Sequence, residues 1–308
     1  MKRALITGVS GFTGYYLRLE LEQQGWEVWG LGASQTVPGF SGRYLPANLL
    51  DSDSLVRAVH HVQPQVVFHL AGIAFVAHNS PDDFHRVNVL GTDNLLHALA
   101  QLPRTPEAVL LASSANVYGN KTAGQLSEST PFNPVNEYAQ SKADMERMSC
   151  HWQDHLPLTQ LRPFNYTGAK QSLDYLVPKI VDHFVRKKNV IELGNLDISR
   201  DFSDVRDVVR AYRLLSEKRP TGETVNICSG RSHSLLEVLG MAQAISNHEL
   251  EVRVNPAFVR ANEVNTLYGD TDKLTQLLGS WNPRPIKETL SWMISEASNS
   301  ILESPEEK

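Results

Sequence analysis

The stretch LITGVSGFTG, residues 5–14, constrains the fold more than any other. An apolar run stops at Gly8, and Gly11 and Gly14 follow before the helically spaced segment FTGYYLRLELEQQG. A strand, a glycine turn and a helix start make a cradle for phosphate. Backbone N–H groups at the helix N-terminus face the ligand, and the helix dipole favours an anion. Gly8 suits the tight turn, Gly11 lets a pyrophosphate approach the backbone, and Gly14 lets the helix close onto the strand. Ser10, Phe12 and Thr13 lie between them and count as cofactor contacts. An ordinary strand-to-helix turn also tolerates glycine, so context decides.

That context is a repeating alternation. EVWGL, QVVFHLA and AVLLASS are short apolar runs, and LTQLRP closes the series. Between them stand amphipathic segments: SDSLVRAVHHV with Asp51 or Ser52 as cap, DDFHRVNVLGTDNLLHALAQ after Pro81, and EYAQSKADMERMSCHWQ. Gly25 closes the first helix as its C′ residue. Alternating strand and helix predict an α/β fold, a Rossmann-like doubly wound parallel sheet over residues 1–163. After Pro163 turn-rich stretches separate helices near 175–187, 205–216, 235–246 and 286–297. Residues 164–308 are expected as a smaller α/β substrate-binding domain, with some exchange of chain between the two. The closing SPEEK reads as a frayed polar tail.

Composition narrows the partners. A net charge of −5 argues against nucleic acid or an anionic membrane as main partner. No run reaches the ~18 apolar residues of a membrane span, and VVFHLAGIAFVA is broken by His69. The apolar run of MKRALITG ends too soon for a signal peptide, so a cytoplasmic protein is expected. Cys150 and Cys228 are far apart and form no metal-ligand pattern, which suits a reducing compartment and no metal.

Three further elements carry chemistry. The second strand ends VWGLGASQ, without the carboxylate that would hydrogen-bond an NAD ribose. Ala33 and Ser34 leave room for a 2′-phosphate, with Arg43 as a possible donor, which points to NADP(H) ahead of NAD(H). Tyr138 and Lys142 are four apart, hence on one helix face. The ammonium is expected to lower the phenol pKa, so that Tyr138 exchanges a proton with a substrate oxygen. Ser114 ends a buried strand, where open α/β sheets place ligands, and its hydroxyl can orient a carbonyl. The bland alternatives are a solvated Tyr–Lys pair and a turn serine.

In this order the elements resemble the extended short-chain dehydrogenase/reductase family, in its nucleotide-sugar-modifying branch. The G-x-x-G-x-x-G spacing is that family's form, and the resemblance covers nearly the whole chain. It implies that Ser114, Tyr138 and Lys142 are the catalytic triad, with Lys142 also on the nicotinamide ribose. HLAG implies Leu70, Ala71 and Gly72 beneath the adenosine, and PANLLD implies Asn48 and Leu49 at the adenine, with Asn48 in place of the usual acid. The related 4,6-dehydratases carry an Asp-Glu pair where this chain has Ala115 and Asn116, so a dehydratase is disfavoured.

The second half resembles the GDP-4-keto-6-deoxy-D-mannose reductases in RPFNYTGAKQS, ELGNLDISRDFSDVRDVVRAY, TVNICSG and RANEVNTLYGD. The resemblance implies that Asn165 contacts the substrate near the nicotinamide. It gives the diphosphate and base to Lys179, Asn195, Arg200 and Arg260, and the ribose to Glu263. An ion pair of Arg200 with Asp201 and a solvated Arg260 are the structural alternatives. Such reductases read N-H-x-G-P-G-Q, whereas here Tyr166, Ala169 and Lys170 stand in that loop. The sugar is therefore expected to be the hexose or a 6-deoxy-heptose relative, with either configuration at C4. NADPH-dependent reduction of a GDP-linked keto sugar is the expected activity. A nucleotide-sugar 4-epimerase with tightly bound NAD is the first alternative, and a non-catalytic dinucleotide sensor the second. The resemblance also implies a homodimer, through a four-helix bundle built from residues 82–101 and 138–152.

Overall fold

A computed structural model of the 308-residue chain describes residues 1–38, 40, 43–74, 81–119, 124–259 and 265–303. The first half runs β1 (Arg3–Thr7), α1 (Phe12–Gln23), β2 (Glu27–Gly32), β3 (Tyr44–Pro46), α2 (Ser52–Val62) and β4 (Val66–His69). A long helical rod follows, α3 (Pro81–His85) and α4 (Gly91–Ala100) joined by five π-helical residues, Arg86–Leu90. Then come β5 (Ala108–Ala112), the short β6 (Gln125–Leu126), α5 (Glu137–Ser149) and β7 (Leu158–Pro163). The second half holds β8 (Tyr166–Thr167), α6 (Leu176–Val185), β9 (Val190–Leu193), β10 (Ser199–Arg200), β11 (Ser203–Asp204), α7 (Val205–Lys218) and β12 (Thr224–Ile227). It ends with β13 (His233–Ser234), α8 (Leu235–Ser246), β14 (Glu251–Val254), β15 (Thr266–Gly269), α9 (Asp272–Leu278) and α10 (Ile286–Glu303).

Among the described residues seven strands form one sheet in the order β12-β7-β5-β4-β1-β2-β3, every pair parallel. The order reverses between β1 and β4, so the crevice for a ligand opens at their carboxyl ends. Alternation along the strands decides what each face carries. Ala4, Ile6, Val66, Phe68, Ala108 and Leu110 pack with Tyr16, Leu17 and Leu21 of α1 and with Val208, Tyr212 and Leu215 of α7. Leu5, Val67, Val109 and Leu111 pack on the other face with α2, α4 and Met145 of α5. Strands buried on both faces need continuous apolar runs, which QVVFHLA and AVLLASS supply.

Asp51 caps α2, accepting from Ser54 N–H at 3.0 Å. The smaller core gathers α6, α8, α10 and β9 around Phe184, Leu239 and Leu290. β13, β10, β15 and β6 form a small sheet beside it. Although they come late in the chain, α7 and β12 belong to the large sheet's layers. Among the described residues no helix is long and apolar enough to cross a membrane. Both cysteines are free, Cys150 exposed and Cys228 buried.

Candidate active site

The chain turns after β1 at Gly8, whose φ of +72° favours glycine. A Cβ there would stand 2.8 Å from the Ala71 nitrogen, so the turn lies directly against the end of β4. Gly11 caps α1, and its N–H donates to the Gly8 carbonyl at 3.0 Å. Among the described residues no side chain caps this helix, and its first turn holds no acid, so its N–H groups keep their pull on an anion. Ser10 and Gly11 are exposed, and Phe12 and Thr13 half-buried. At Gly14 a Cβ would come within 2.6 Å of Val9 Cα, so the helix meets the turn at a glycine contact.

Leu70, Ala71 and Gly72 leave β4 facing this turn. A directed chain of hydrogen bonds holds them. Ala71 N–H donates to Thr7 Oγ1 at 3.1 Å, and that oxygen lies 2.7 Å from His69 Nδ1. His69 Nε2 lies 2.8 Å from Thr92 Oγ1, which donates to the Asn88 carbonyl at 2.7 Å. One direction satisfies every atom: Thr7 donates to Nδ1, and Nε2–H donates to Thr92. The imidazole is neutral, held at about 3 by burial and then by the Lys142 charge. The Asn88 side chain accepts from Ile73 N–H at 2.9 Å and donates to Ser141 Oγ at 2.9 Å, tying the loop after β4 to α5. Sequence reasoning passed over Asn88. Its only signal is one amide inside the apolar spacing of RVNVLG.

Ser114 follows β5 and caps a short turn, accepting from Asn116 N–H at 3.2 Å and from its side-chain amide at 3.1 Å. It also hydrogen-bonds Tyr138. The turn-serine reading and the site reading thus describe the same hydroxyl. Tyr138 and Lys142 lie one turn apart on α5 and are 8% and 6% exposed. Lys142 Nζ donates to the Ala112 carbonyl at 2.7 Å and would lie 3.5 Å from a Cβ on Gly72. The ends of β4 and β5 therefore meet α5 at these residues. Burial pushes the Tyr138 phenol up to about 12, against the Ser114 hydrogen bond, with the Tyr166 and Tyr175 phenols adding to the rise. Burial also pulls Lys142 down to about 8, opposed by Glu146. The expected lowering of the phenol by Lys142 is not what this geometry gives: burial raises it, and the ammonium donates to a backbone carbonyl. Beside Ser114, the Ser113 hydroxyl is buried and, among the described residues, has no hydrogen-bond partner.

At the far end of the crevice Ala33, Ser34 and Asn48 are exposed, while Leu49 is buried against Gly91. The Ser34 carbonyl accepts from Tyr44 Oη at 2.7 Å. Asn48 Oδ1 accepts from Leu50 N–H at 3.0 Å, so the oxygen expected to meet adenine already holds its own turn with one lone pair. Arg43 stands beside the second strand, its carbonyl accepting from Gly30 N–H at 2.8 Å, two residues short of the strand end. Arg18 of α1, which sequence reasoning missed, lies 5.4 Å over the Phe40 ring beside β2.

In the second half Asn165 is exposed just past β7, its carbonyl accepting from Ser203 N–H at 2.8 Å. Lys179 donates to the Glu192 carbonyl at 2.7 Å and stands 4.7 Å over the Phe258 ring. Asn195 is half-buried beside Gly194, which packs closely on Phe258. Arg200 is buried and donates to the Ser199 and Asn265 carbonyls at 2.9 and 3.2 Å. Asp201 accepts from Ser203 Oγ at 3.0 Å and from the Gly230 N–H at 2.8 Å. Arg260 and Glu263 lie outside the described residues.

A family model described as GDP-mannose 4,6 dehydratase matches residues 5–293. The chain belongs to this family. As a GDP-mannose 4,6-dehydratase family member, it is an extended short-chain dehydrogenase/reductase with the Rossmann-like sheet its motifs predict. It is 37% identical over 283 residues to GDP-6-deoxy-D-talose 4-dehydrogenase of Aggregatibacter actinomycetemcomitans, covering 90% of this chain and 92% of that protein. It is 32% identical over 314 residues to GDP-6-deoxy-D-mannose reductase of Pseudomonas aeruginosa, covering 98% and 99%. A solved structure of RMD from Pseudomonas aeruginosa complexed with NADPH superposes with TM-score 0.85 at 30% identity, covering 97% of this chain and 100% of that one. Another from Burkholderia cenocepacia, provisionally named an epimerase, gives TM-score 0.91 at 46% identity, covering 97% and 98%. This family member has neither carboxylate of the dehydratase pair: Asn116 holds Ser114 instead.

Proposed function

We propose that the chain reduces the C4 ketone of a GDP-linked 4-keto-6-deoxy sugar with NADPH, giving the GDP-6-deoxy sugar. The observation that carries this is the buried Tyr138 phenol, hydrogen-bonded to Ser114 and raised to about 12, in a site where Ala115 and Asn116 stand for the dehydratase acids. A reductase begins each turnover with a protonated acid, and such a phenol keeps its proton at neutral pH. The two named GDP-sugar relatives support the substrate class, and the NADPH complex of the Pseudomonas aeruginosa neighbour supports the cofactor. The uncapped glycine turn and the acid-free end of β2 fit a phosphorylated dinucleotide.

NADPH, when bound, supplies hydride to C4. The carbonyl π pair moves onto the oxygen, which Ser114 holds, and Tyr138 gives that oxygen its proton. Lys142 holds the ribose, and solvent returns the proton to the phenol. Asn165, Lys179, Asn195, Arg200, Arg260 and Glu263 are the proposed contacts of the GDP-sugar, cations serving the diphosphate. Residues 1–163 serve the dinucleotide and residues 164–308 the sugar nucleotide, with α7 and β12 returned to the first. A homodimer through α3, α4 and α5, working in the cytoplasm, completes the proposal.

The test is NADPH consumption with a panel of GDP-4-keto-6-deoxy hexoses and heptoses, with products identified by NMR. No consumption with any of them rules the activity out. The provisional epimerase name of the Burkholderia cenocepacia neighbour favours a second reading, a 4-epimerase. NAD released from the purified protein, with no net NADPH oxidation, would support that reading instead.

A further inference from the structure

The loop after β7, residues 165–171 with the two-residue β8 at Tyr166–Thr167, docks on the first turns of α1. Tyr166 Oη lies 2.7 Å from Thr13 Oγ1, and its ring stacks on Phe12 with centroids 6.1 Å apart and planes 12° apart. Tyr16 Oη donates to the Ala169 carbonyl at 2.8 Å. Lys170 donates to Tyr15 Oη at 2.9 Å and sits 4.6 Å from the centre of its ring. Tyr166, Ala169 and Lys170 are the positions where this loop departs from the reductase pattern, and each of them touches α1. The turn of helix that offers N–H groups to an anion therefore also offers a hydroxyl to the loop. Asn165 is adjacent and is fixed from its other side by Ser203 N–H at 2.8 Å. The Tyr166 phenol is also close enough to act on the titration of Tyr138.

We propose that Tyr166 is a positioning residue that couples the seat of the cofactor pyrophosphate to the substrate loop. Its bond to Thr13 sets where Asn165 stands relative to Tyr138. Filling the glycine turn then tightens the loop, and a bound sugar nucleotide tightens the turn by the same factor. The coupling rests on the NADPH-dependent reduction proposed above. One hydrogen bond in a half-buried place shifts a loop equilibrium by about tenfold.

Tyr166→Phe keeps the ring on Phe12 and removes the hydroxyl, Thr13→Val removes the other partner, and the double variant closes a cycle. On the protein alone, amide exchange across residues 165–171 should quicken about tenfold in Tyr166→Phe. NADP⁺ should slow these amides in the wild type and much less in the variant. In turnover, KM for the keto sugar should rise about tenfold in Tyr166→Phe with kcat changed less than about threefold, and at saturating NADPH the double variant should have a KM for the keto sugar no higher than the poorer single one. Unchanged exchange in Tyr166→Phe, or two single effects that add in full, or a fall in kcat alone, overturns the proposal. A wild type that consumes no NADPH defeats the reduction instead, and the exchange comparison still decides whether Tyr166 anchors the loop.

Discussion

Thr7 and His69 face each other across the parallel pair β1–β4, Oγ1 to Nδ1 at 2.7 Å, where the strand order turns back on itself. The unfolded chain takes up a proton on this histidine near pH ~6.5, whereas the folded protein holds its pKa at about 3. Stability from this group is complete above the unfolded value and is lost as pH falls from there towards 3. Its slope is about 1.4 kcal/mol per pH unit in that window. His69→Leu should abolish the slope, and by leaving the Thr7 and Thr92 hydroxyls short of a partner should cost about 2–4 kcal/mol at neutral pH. Urea titrations between about pH 4 and about pH 8 measure both effects. Parallel pH curves for the two proteins would refute the neutral link.

Tyr138→Phe deletes the proposed acid and little else, since the ring remains buried against Phe84. Turnover should fall by about 10²–10⁴ while NADPH affinity stays within about threefold. Stopped-flow reduction and NADPH fluorescence separate the two quantities. Full activity in this variant would remove Tyr138 from the chemistry.

Lys142 sets an alkaline limit. It is charged below its pKa of about 8 and neutral above it, so kcat/KM should decline as pH passes that value. Glu146, one turn along α5, keeps that value from falling further, and Arg162 grips it through Nη2–Oε2 at 2.7 Å and Nε–Oε1 at 3.0 Å. Glu146→Gln leaves the guanidinium uncompensated, so Lys142 loses its proton earlier and the decline should move about one pH unit lower. Stability should drop by about 3–5 kcal/mol as well. A pH–rate profile that does not move would show that another group sets the limb.

Gly14→Ala would press a methyl to within 2.6 Å of Val9 Cα. Moving α1 off the turn should cost about 1–3 kcal/mol and weaken NADPH about tenfold or more. Thermal melts and NADPH titration report these separately. Undiminished NADPH affinity would mean that this contact does not shape the cradle.

What could be read in advance followed from short-range rules. Gly8 to Gly14, the Asp51 cap and the buried runs through Phe68 and Leu110 each reflect neighbours in the chain. The helix expected over 82–101 hides its π-helical residues, because looping out one residue near Asn88 barely disturbs an apolar pattern. The His69 chain joins residues from Thr7 to Thr92, and no local spacing announces it. Arg162 looked like a strand residue, yet it also donates to Tyr118 Oη at 3.0 Å, whose hydroxyl reaches Asn226 at 2.6 Å. Helical spacing reveals the ammonium near the Tyr138 phenol but not the loss of water around both groups, which sets the direction of each shift.

The placement of α7 and β12 on the large sheet has a consequence for biosynthesis. A nascent chain that has just emerged through Pro163 has β7 as an unpaired edge and α1 without α7 against it. The cofactor-binding layers can close only once Ile227 has left the ribosome, after residues of the other core, such as Phe184 and Ile191, have already been made. The two halves therefore mature together, and a cut at Pro163 yields a sticky fragment instead of a dinucleotide-binding module.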